Sequence, residues 1–119
     1  MDNELSDIMK TVDELAYKLQ NSEVYNNYLA LKAKVLRDPE TKHSIARFKR
    51  VQFEYESKVL RHIEPDFSEE QYLSKLYSDL TLREDIKIFL ETEKDVLKII
   101  KEVNGKVLDI MKINMSFLN

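Results

Sequence analysis

The 119-residue chain has no cysteine and no tryptophan, one glycine and two prolines. Without cysteine there is no disulfide, no thiolate nucleophile and no cysteine-held zinc or iron–sulfur cluster. A single glycine rules out a glycine-rich phosphate loop. So few glycines and prolines also argue against a fold of many tight turns, and the abundance of Leu, Ile, Lys and Glu favours long helices. No run of 18 apolar residues occurs, so no membrane span is expected. The first residues, Met-Asp-Asn-Glu-Leu-Ser-Asp, are acidic where a secretory leader is basic, so no leader is expected. Net charge is −3, which gives no overall pull toward nucleic acid or anionic lipid. The length is that of one domain, 1–119.

What the chain does have is helical periodicity, strongest in its last third. Ile86, Phe89, Val96, Ile100, Val103, Val107, Ile110 and Phe117 recur at steps of three, four or seven, an a/d seam. Leu90, Leu97, Met111 and Leu118 widen the stripe on one side, Ile99 and Ile113 on the other. The spacing predicts one helix over 81–117, running unbroken through Asn104-Gly105, because one glycine costs only about 1 kcal/mol against alanine. Such a helix, roughly 52 Å long, is longer than a compact globule of this size, roughly 35 Å across. The excess stripe needs a cover, and a homo-oligomer, dimer or tetramer, is the expectation. Its interface is assigned to Phe89, Val96, Ile100, Val103, Val107 and Ile110.

Four further helices precede it. Leu5, Ile8, Val12, Leu15 and Leu19 mark a helix over 3–20. Ser22 is the expected N-cap of a second, over 23–37, with Val24, Tyr28, Leu31 and Val35 on one face. Asp38-Pro39-Glu40 is a strong start signal, a capping Asp followed by Pro at the first helical position, for a helix over 39–63 stopped before Pro65. Ser68-Glu69-Glu70-Gln71 fits a capping box for a helix over 69–80, with Phe67 and Tyr72 as its hydrophobic staple. Thr81-Leu82-Arg83-Glu84 fits a second box opening the last helix. Nothing in the sequence decides whether these last two helices are separate or one bent helix.

No residue constellation for catalysis emerges. His43 and His62, 19 residues apart on one expected helix, lie about 28 Å from each other and share no metal within one chain. No enzyme, metal site or cofactor is predicted. Glu93 falls at an a position of the seam; it is either an edge residue reaching solvent or a partnered group that sets register or partner choice. Asn114 carries the same two readings. Residues 32–50 hold seven basic side chains (Lys32, Lys34, Arg37, Lys42, Arg47, Lys49, Arg50) against Asp38 and Glu40, a local balance of +5. This stretch is either a pair of ordinary solvated helix faces or a contact for RNA or an acidic protein. Phe48 and Phe53 are spaced for a core rather than for base stacking, so direct nucleic-acid contact is not expected. Tyr25, Tyr28, Lys42, Arg47 and Arg50 form the candidate partner surface, with Tyr25 and Tyr28 equally readable as core.

In order along the chain, Ser22-Glu23-Val24-Tyr25-x-x-Tyr28, Asp38-Pro39-Glu40 and Phe48-x-x-x-Gln52 resemble the first half of the YlbF/YmcA family of small helical bacterial proteins, which includes the YheA-like proteins. Phe89-Leu90-Glu91-Thr92-Glu93-x-x-Val96 and Ile100-x-x-Val103-Asn104 are similar to its C-terminal helix. The resemblance covers about residues 5–118. It implies an all-α fold of about five helices, with the long C-terminal helix packed in a helical hairpin and used for oligomerisation. It also implies a cytoplasmic, non-enzymatic regulator working through protein contacts with family paralogues or ribonuclease Y, in mRNA processing linked to competence, sporulation and biofilm formation. That complex carries iron–sulfur clusters on cysteine ligands, so with no cysteine here the cluster role does not carry over. The alternatives are an RNA-binding module using residues 32–50 and a purely structural helical oligomer.

Overall fold

A computed structural model describes residues 2–112. These form five α-helices, α1 (Asp2–Gln20), α2 (Glu23–Val35), α3 (Pro39–Leu60), α4 (Phe67–Leu80) and α5 (Glu84–Ile110), with no strand among the described residues. The seam positions Ile113 and Phe117, with Asn114 and Leu118, lie outside the described residues.

Two helix starts follow the local chemistry expected of them. Ser22 Oγ accepts from the Tyr25 backbone N–H at 3.3 Å, capping α2. Asp38 caps α3 with an extended backbone, and its Oδ2 accepts from the Thr41 N–H at 3.2 Å and from Thr41 Oγ1 at 2.7 Å, with Pro39 as the first helical residue.

The other two expected starts are corrected. The N-cap of α4 is Asp66, so Ser68 lies inside the helix. Phe67 is 70% exposed and Tyr72 46%, and they form no staple. Glu69 is instead held by Lys58, whose Nζ donates to both carboxylate oxygens at 2.6 and 2.7 Å. Thr81 closes α4 rather than opening α5: its hydroxyl donates back to the Tyr77 carbonyl at 2.8 Å, the local bond by which Thr competes for backbone groups. The turn 81–83 makes α4 and α5 separate helices.

Three helix ends also fall early, the first being α2, which stops at Val35 rather than at 37. α3 stops at Leu60, where His62 takes a left-handed backbone (φ 59°). The His62 N–H donates to the Val59 carbonyl at 3.1 Å and the Ile63 N–H to the Lys58 carbonyl at 2.8 Å. This is a Schellman motif with histidine where glycine is usual. Pro65 then keeps Glu64 out of helical geometry. Lys112, with φ 56°, ends α5 in the same backbone conformation, and the helix passes through Gly105 unbroken.

The chain divides into two compact units, residues 30–90 and residues 2–29 with 91–112, so α2 and α5 each contribute to both. In the first unit α3 and α4 pack together. The rings of Phe48, in the middle of α3, and Tyr77, near the end of α4, lie 5.7 Å apart, and Lys58 near the end of α3 meets Glu69 near the start of α4, so this pair is an antiparallel hairpin. Among the described residues the buried apolar side chains are Val35, Ile45, Phe48, Leu80, Ile86, Phe89 and Leu90, and every one of these belongs to this unit. At roughly 1.5–3 kcal/mol for each large apolar side chain buried, this is where the described residues gain most of their hydrophobic stabilisation.

The second unit has no fully buried apolar side chain among the described residues. Along α1, Leu5, Ile8, Met9, Val12 and Leu15 are between 39% and 55% exposed, and no residue of the helix is buried. A helix in a folded protein draws its stability mainly from packing an amphipathic face, and here that face is uncovered.

Candidate functional site

The two units present different surfaces. In the unit of residues 30–90, Lys42, Arg47 and Arg50 are exposed along α3, whose buried residues are Thr41, Ile45 and Phe48. Phe53, three residues past Arg50, is 72% exposed, so the expected core placement of Phe53 is overturned. The core-facing stripe of α3 runs through positions 41, 45, 48 and 52, and 53 lies one residue past it, about 100° round the helix. Only Phe48 of the two aromatics serves the core. His43 is exposed on α3, whereas His62 lies beyond the helix end, so the two do not share a helix.

Beside this face is a cleft of about 390 Å³ between the start of α3, the end of α4 and the start of α5, lined by Asp38, Thr41, Ser44, Arg47, Asp79 and Arg83 among others. Its polar groups are largely committed to one another. Arg83 Nη1 donates to Thr41 Oγ1 at 2.8 Å, and Thr41 Oγ1 donates in turn to Asp38 Oδ2 at 2.7 Å. Arg83 also forks onto both oxygens of Asp85, at 3.2 and 2.8 Å. The hydrogen bonds from Thr41 hold the Asp38 carboxyl below its ordinary range, and those from Arg83 do the same for Asp85. Carboxylates held low in this way are poor proton acceptors near neutrality, and this network ties the α4–α5 turn to the start of α3.

In the other unit, Tyr25 and Tyr28 are half-buried with ring centroids 6.2 Å apart. Tyr28 Oη donates to Glu93 Oε2 at 3.1 Å. Burial, then the Glu93 charge and hydrogen bond, push the Tyr28 hydroxyl up to about 12. Glu93 is half-buried and accepts this bond within its own chain rather than reaching out alone to solvent. Tyr25 and Tyr28 belong to one compact unit and Lys42, Arg47 and Arg50 to the other.

The seam on α5 divides in two. Ile86, Phe89 and Leu90 are at most 5% exposed and serve the core of residues 30–90. Phe89, expected at the oligomer interface, is 1% exposed, and Lys49 Nζ lies 5.8 Å from its ring centre; a side chain so enclosed by its own chain has no surface left for a second copy. Beyond it, Val96 and Val103 are half-buried, and Ile100, Val107 and Ile110 are 42%, 53% and 68% exposed. Leu97 and Met111 are exposed alongside. An apolar groove of about 200 Å³, lined by Ala16, Leu19, Val24, Tyr25, Val96, Ile99 and Ile100 among others, adjoins this stretch. The exposed face of α1 completes the apolar surface of the unit and was readable as a period, though not as an uncovered one, from Leu5, Ile8, Val12 and Leu15.

Among the described residues no group of three or more His, Asp or Glu side chains is placed to hold a metal, and no helix is long and apolar enough to cross a membrane.

Comparison with known proteins adds a family. Residues 8–111 match the family described as control of competence regulator ComK, YlbF/YmcA. A UPF0342 protein of Caldicellulosiruptor bescii is 34% identical over 96 residues, covering 81% of each chain. A UPF0342 protein of Caldicellulosiruptor saccharolyticus is 31% identical over 100 residues, covering 81% of this chain and 83% of its own. A third, of Desulfitobacterium hafniense, is 27% identical over 96 residues. No solved structure matches the chain. With the five-helix order, the capped start at Asp38-Pro39 and a match over nearly its whole length, the chain belongs to the YlbF/YmcA family of regulatory proteins.

Proposed function

We propose that this protein is a cytoplasmic, non-enzymatic regulatory adaptor that self-assembles through α1 and the distal part of α5 and acts by binding other proteins. The observation that carries the reading is the contrast between the units. One closes its own core, while the other leaves the apolar faces of α1 and of α5 beyond Val96 open to water. Contiguous exposed apolar surface on that scale marks an interaction site. A second copy brings an identical pair of faces, and a two-fold arrangement covers both at once. In this reading Val96, Ile100, Val103, Val107 and Ile110 form the α5 side of the interface, and Phe89 is withdrawn from it.

The regulatory part of the reading is supported by the family's description as control of the regulator ComK. Its finer form is action on bacterial development through ribonuclease Y-linked mRNA processing, with family paralogues or ribonuclease Y itself as partners. Lack of cysteine keeps iron–sulfur chemistry out of this chain's part in it.

Light scattering of the purified protein over a range of concentrations tests the assembly. The expected result is a dimer or tetramer that Val103→Glu or Val107→Glu dissociates. A 14.2 kDa monomer at every concentration overturns it. Mapping transcript ends in cells with and without the gene, and with Val107→Glu, tests the regulatory part: processed ends are expected to change in both mutants.

A further inference from the structure

Positions 42, 46, 50, 53, 57 and 60 of α3 follow one another at steps of three and four, so Lys42, Ala46, Arg50, Phe53, Ser57 and Leu60 lie along one side of the helix, about 27 Å long. Arg47 flanks the row. Its first half is cationic and its second half apolar, with Phe53 72% and Leu60 79% exposed. Lys42, Arg47 and Arg50 are exposed and form no ion pair among the described residues. Ala46 and Ser57, small residues between the large ones, leave room for another backbone to come close. The row belongs to residues 30–90, the unit whose core is closed, and not to the unit assigned above to self-assembly.

We infer that this face of α3 is the docking site for an amphipathic helical segment of another protein, with Asp or Glu along one half and large apolar side chains along the other. The inference rests on the adaptor reading and names the chemistry of the partner. Carboxylates of the segment meet Lys42, Arg47 and Arg50, and its apolar residues cover Phe53 and Leu60, the i, i+7 pair that a helix laid alongside engages. Arg and Phe are residue types that carry contact energy.

The same face is a poor fit to a polyanion. Glu54 and Glu56 are both exposed and stand on either side of Phe53. A phosphate backbone following the cations would run into both carboxylates after about three turns. A segment whose own negative charge ends where Phe53 begins meets no such repulsion. Leu60 packs against a side chain but offers a base no ring to stack on.

The test uses the full-length protein and a synthetic 18-residue helical peptide with glutamates facing the cationic half and leucines facing Phe53 and Leu60. Its binding is followed by fluorescence anisotropy. Three comparisons are made: the same peptide with lysine for glutamate, a 20-nucleotide oligo-uridine, and the variants Arg47→Glu/Arg50→Glu and Phe53→Ser. Saturable binding of the glutamate peptide is expected, weakened about tenfold or more by either variant. The lysine peptide is expected to bind the Arg47→Glu/Arg50→Glu protein and not the wild type. Absence of saturable binding, or binding that ignores both variants, overturns the inference. Oligo-uridine binding lost in the arginine variant, without peptide binding, overturns it in favour of nucleic acid. Circular dichroism confirms that the variants fold, which the exposure of all three positions leads one to expect. Light scattering on the same samples reads self-assembly separately, so a monomeric wild type defeats the adaptor reading and an unbound peptide defeats only this one.

Discussion

Tyr28 Oη donates a hydrogen bond to Glu93 Oε2 across 65 residues of sequence, joining α2 to α5. Burial first, and the carboxylate second, raise the tyrosine from 10.0 to about 12. The folded state therefore holds this proton more tightly than the unfolded chain does. The stability it contributes is complete below about pH 10, the unfolded value, and is lost as pH rises toward about 12. An ultraviolet tyrosinate titration of the six tyrosines is expected to show a late-titrating group that Tyr28→Phe removes. The same substitution is expected to cost about 1 kcal/mol at neutral pH in urea unfolding, the worth of one partly solvated hydrogen bond.

At the acid end Asp38 and Asp85 are both lowered from 3.8, first by the hydrogen bonds they accept. Their contribution is present above the unfolded value and disappears as pH falls through the lower folded values. Stability is expected to drop below about pH 4, and Asp38→Ala is expected to flatten that drop in melts taken between pH 2 and 5. Thr41 sits between Arg83 and Asp38 and is 6% exposed. Thr41→Val keeps the volume but removes both hydroxyl bonds, and a loss of about 1–2 kcal/mol is expected at pH 7. A neutral effect there would mean that the Arg83–Thr41–Asp38 chain does not hold the α4–α5 turn.

The helix order was legible because apolar period and the Asp38-Pro39 start are local signals. Cap choice was not. Ser68 and Thr81 each had a suitable acid or amide three residues on, but Asp66 entered the helix two residues earlier and Thr81 turned its hydroxyl back to Tyr77. The end of α3 is not legible, because the residue in left-handed backbone is His62, which carries no glycine-like signal. On the surface, period alone could not tell Phe89 from Val107: both occupy the seam, and only the three-dimensional core separates a position that the chain covers from one that it leaves open. Phe53 departs from its expected core position for a related reason. One step of 100° round α3 takes a side chain from the core edge to solvent.

His62 offers a direct stability test. An L-residue with a side chain pays roughly 1–2 kcal/mol in left-handed backbone, part of which glycine recovers. His62→Gly is expected to raise stability by about 0.5–1 kcal/mol, read as a higher denaturation midpoint with unchanged slope. His62→Val, branched at Cβ, is expected to lower it.

Gly105 is the reverse case. It lies inside α5 with helical backbone, and a Cβ there meets nothing within 4 Å. Gly105→Ala is expected to stabilise the helix by about 0.5–1 kcal/mol without changing the solution mass, since position 105 points away from Val103 and Val107.

The division of the α5 seam makes the last prediction. Phe89→Ala removes a side chain that is 1% exposed, so it leaves a cavity in the core of residues 30–90, and a loss of about 3–5 kcal/mol is expected whatever the protein concentration. Val107→Glu changes a residue 53% exposed, outside that core. Its direct cost to one chain is small, within about 0.5 kcal/mol. Assembly alters this. A protein stabilised by self-association melts at a temperature that rises with concentration, because association pulls on the folded state by mass action. The wild type is therefore expected to show that rise, Phe89→Ala to show it from a lower baseline, and Val107→Glu to lose it. Melts at several concentrations read all three. If Val107→Glu keeps the wild-type rise, the distal half of α5 faces water in the working protein and its apolar residues belong to some other contact.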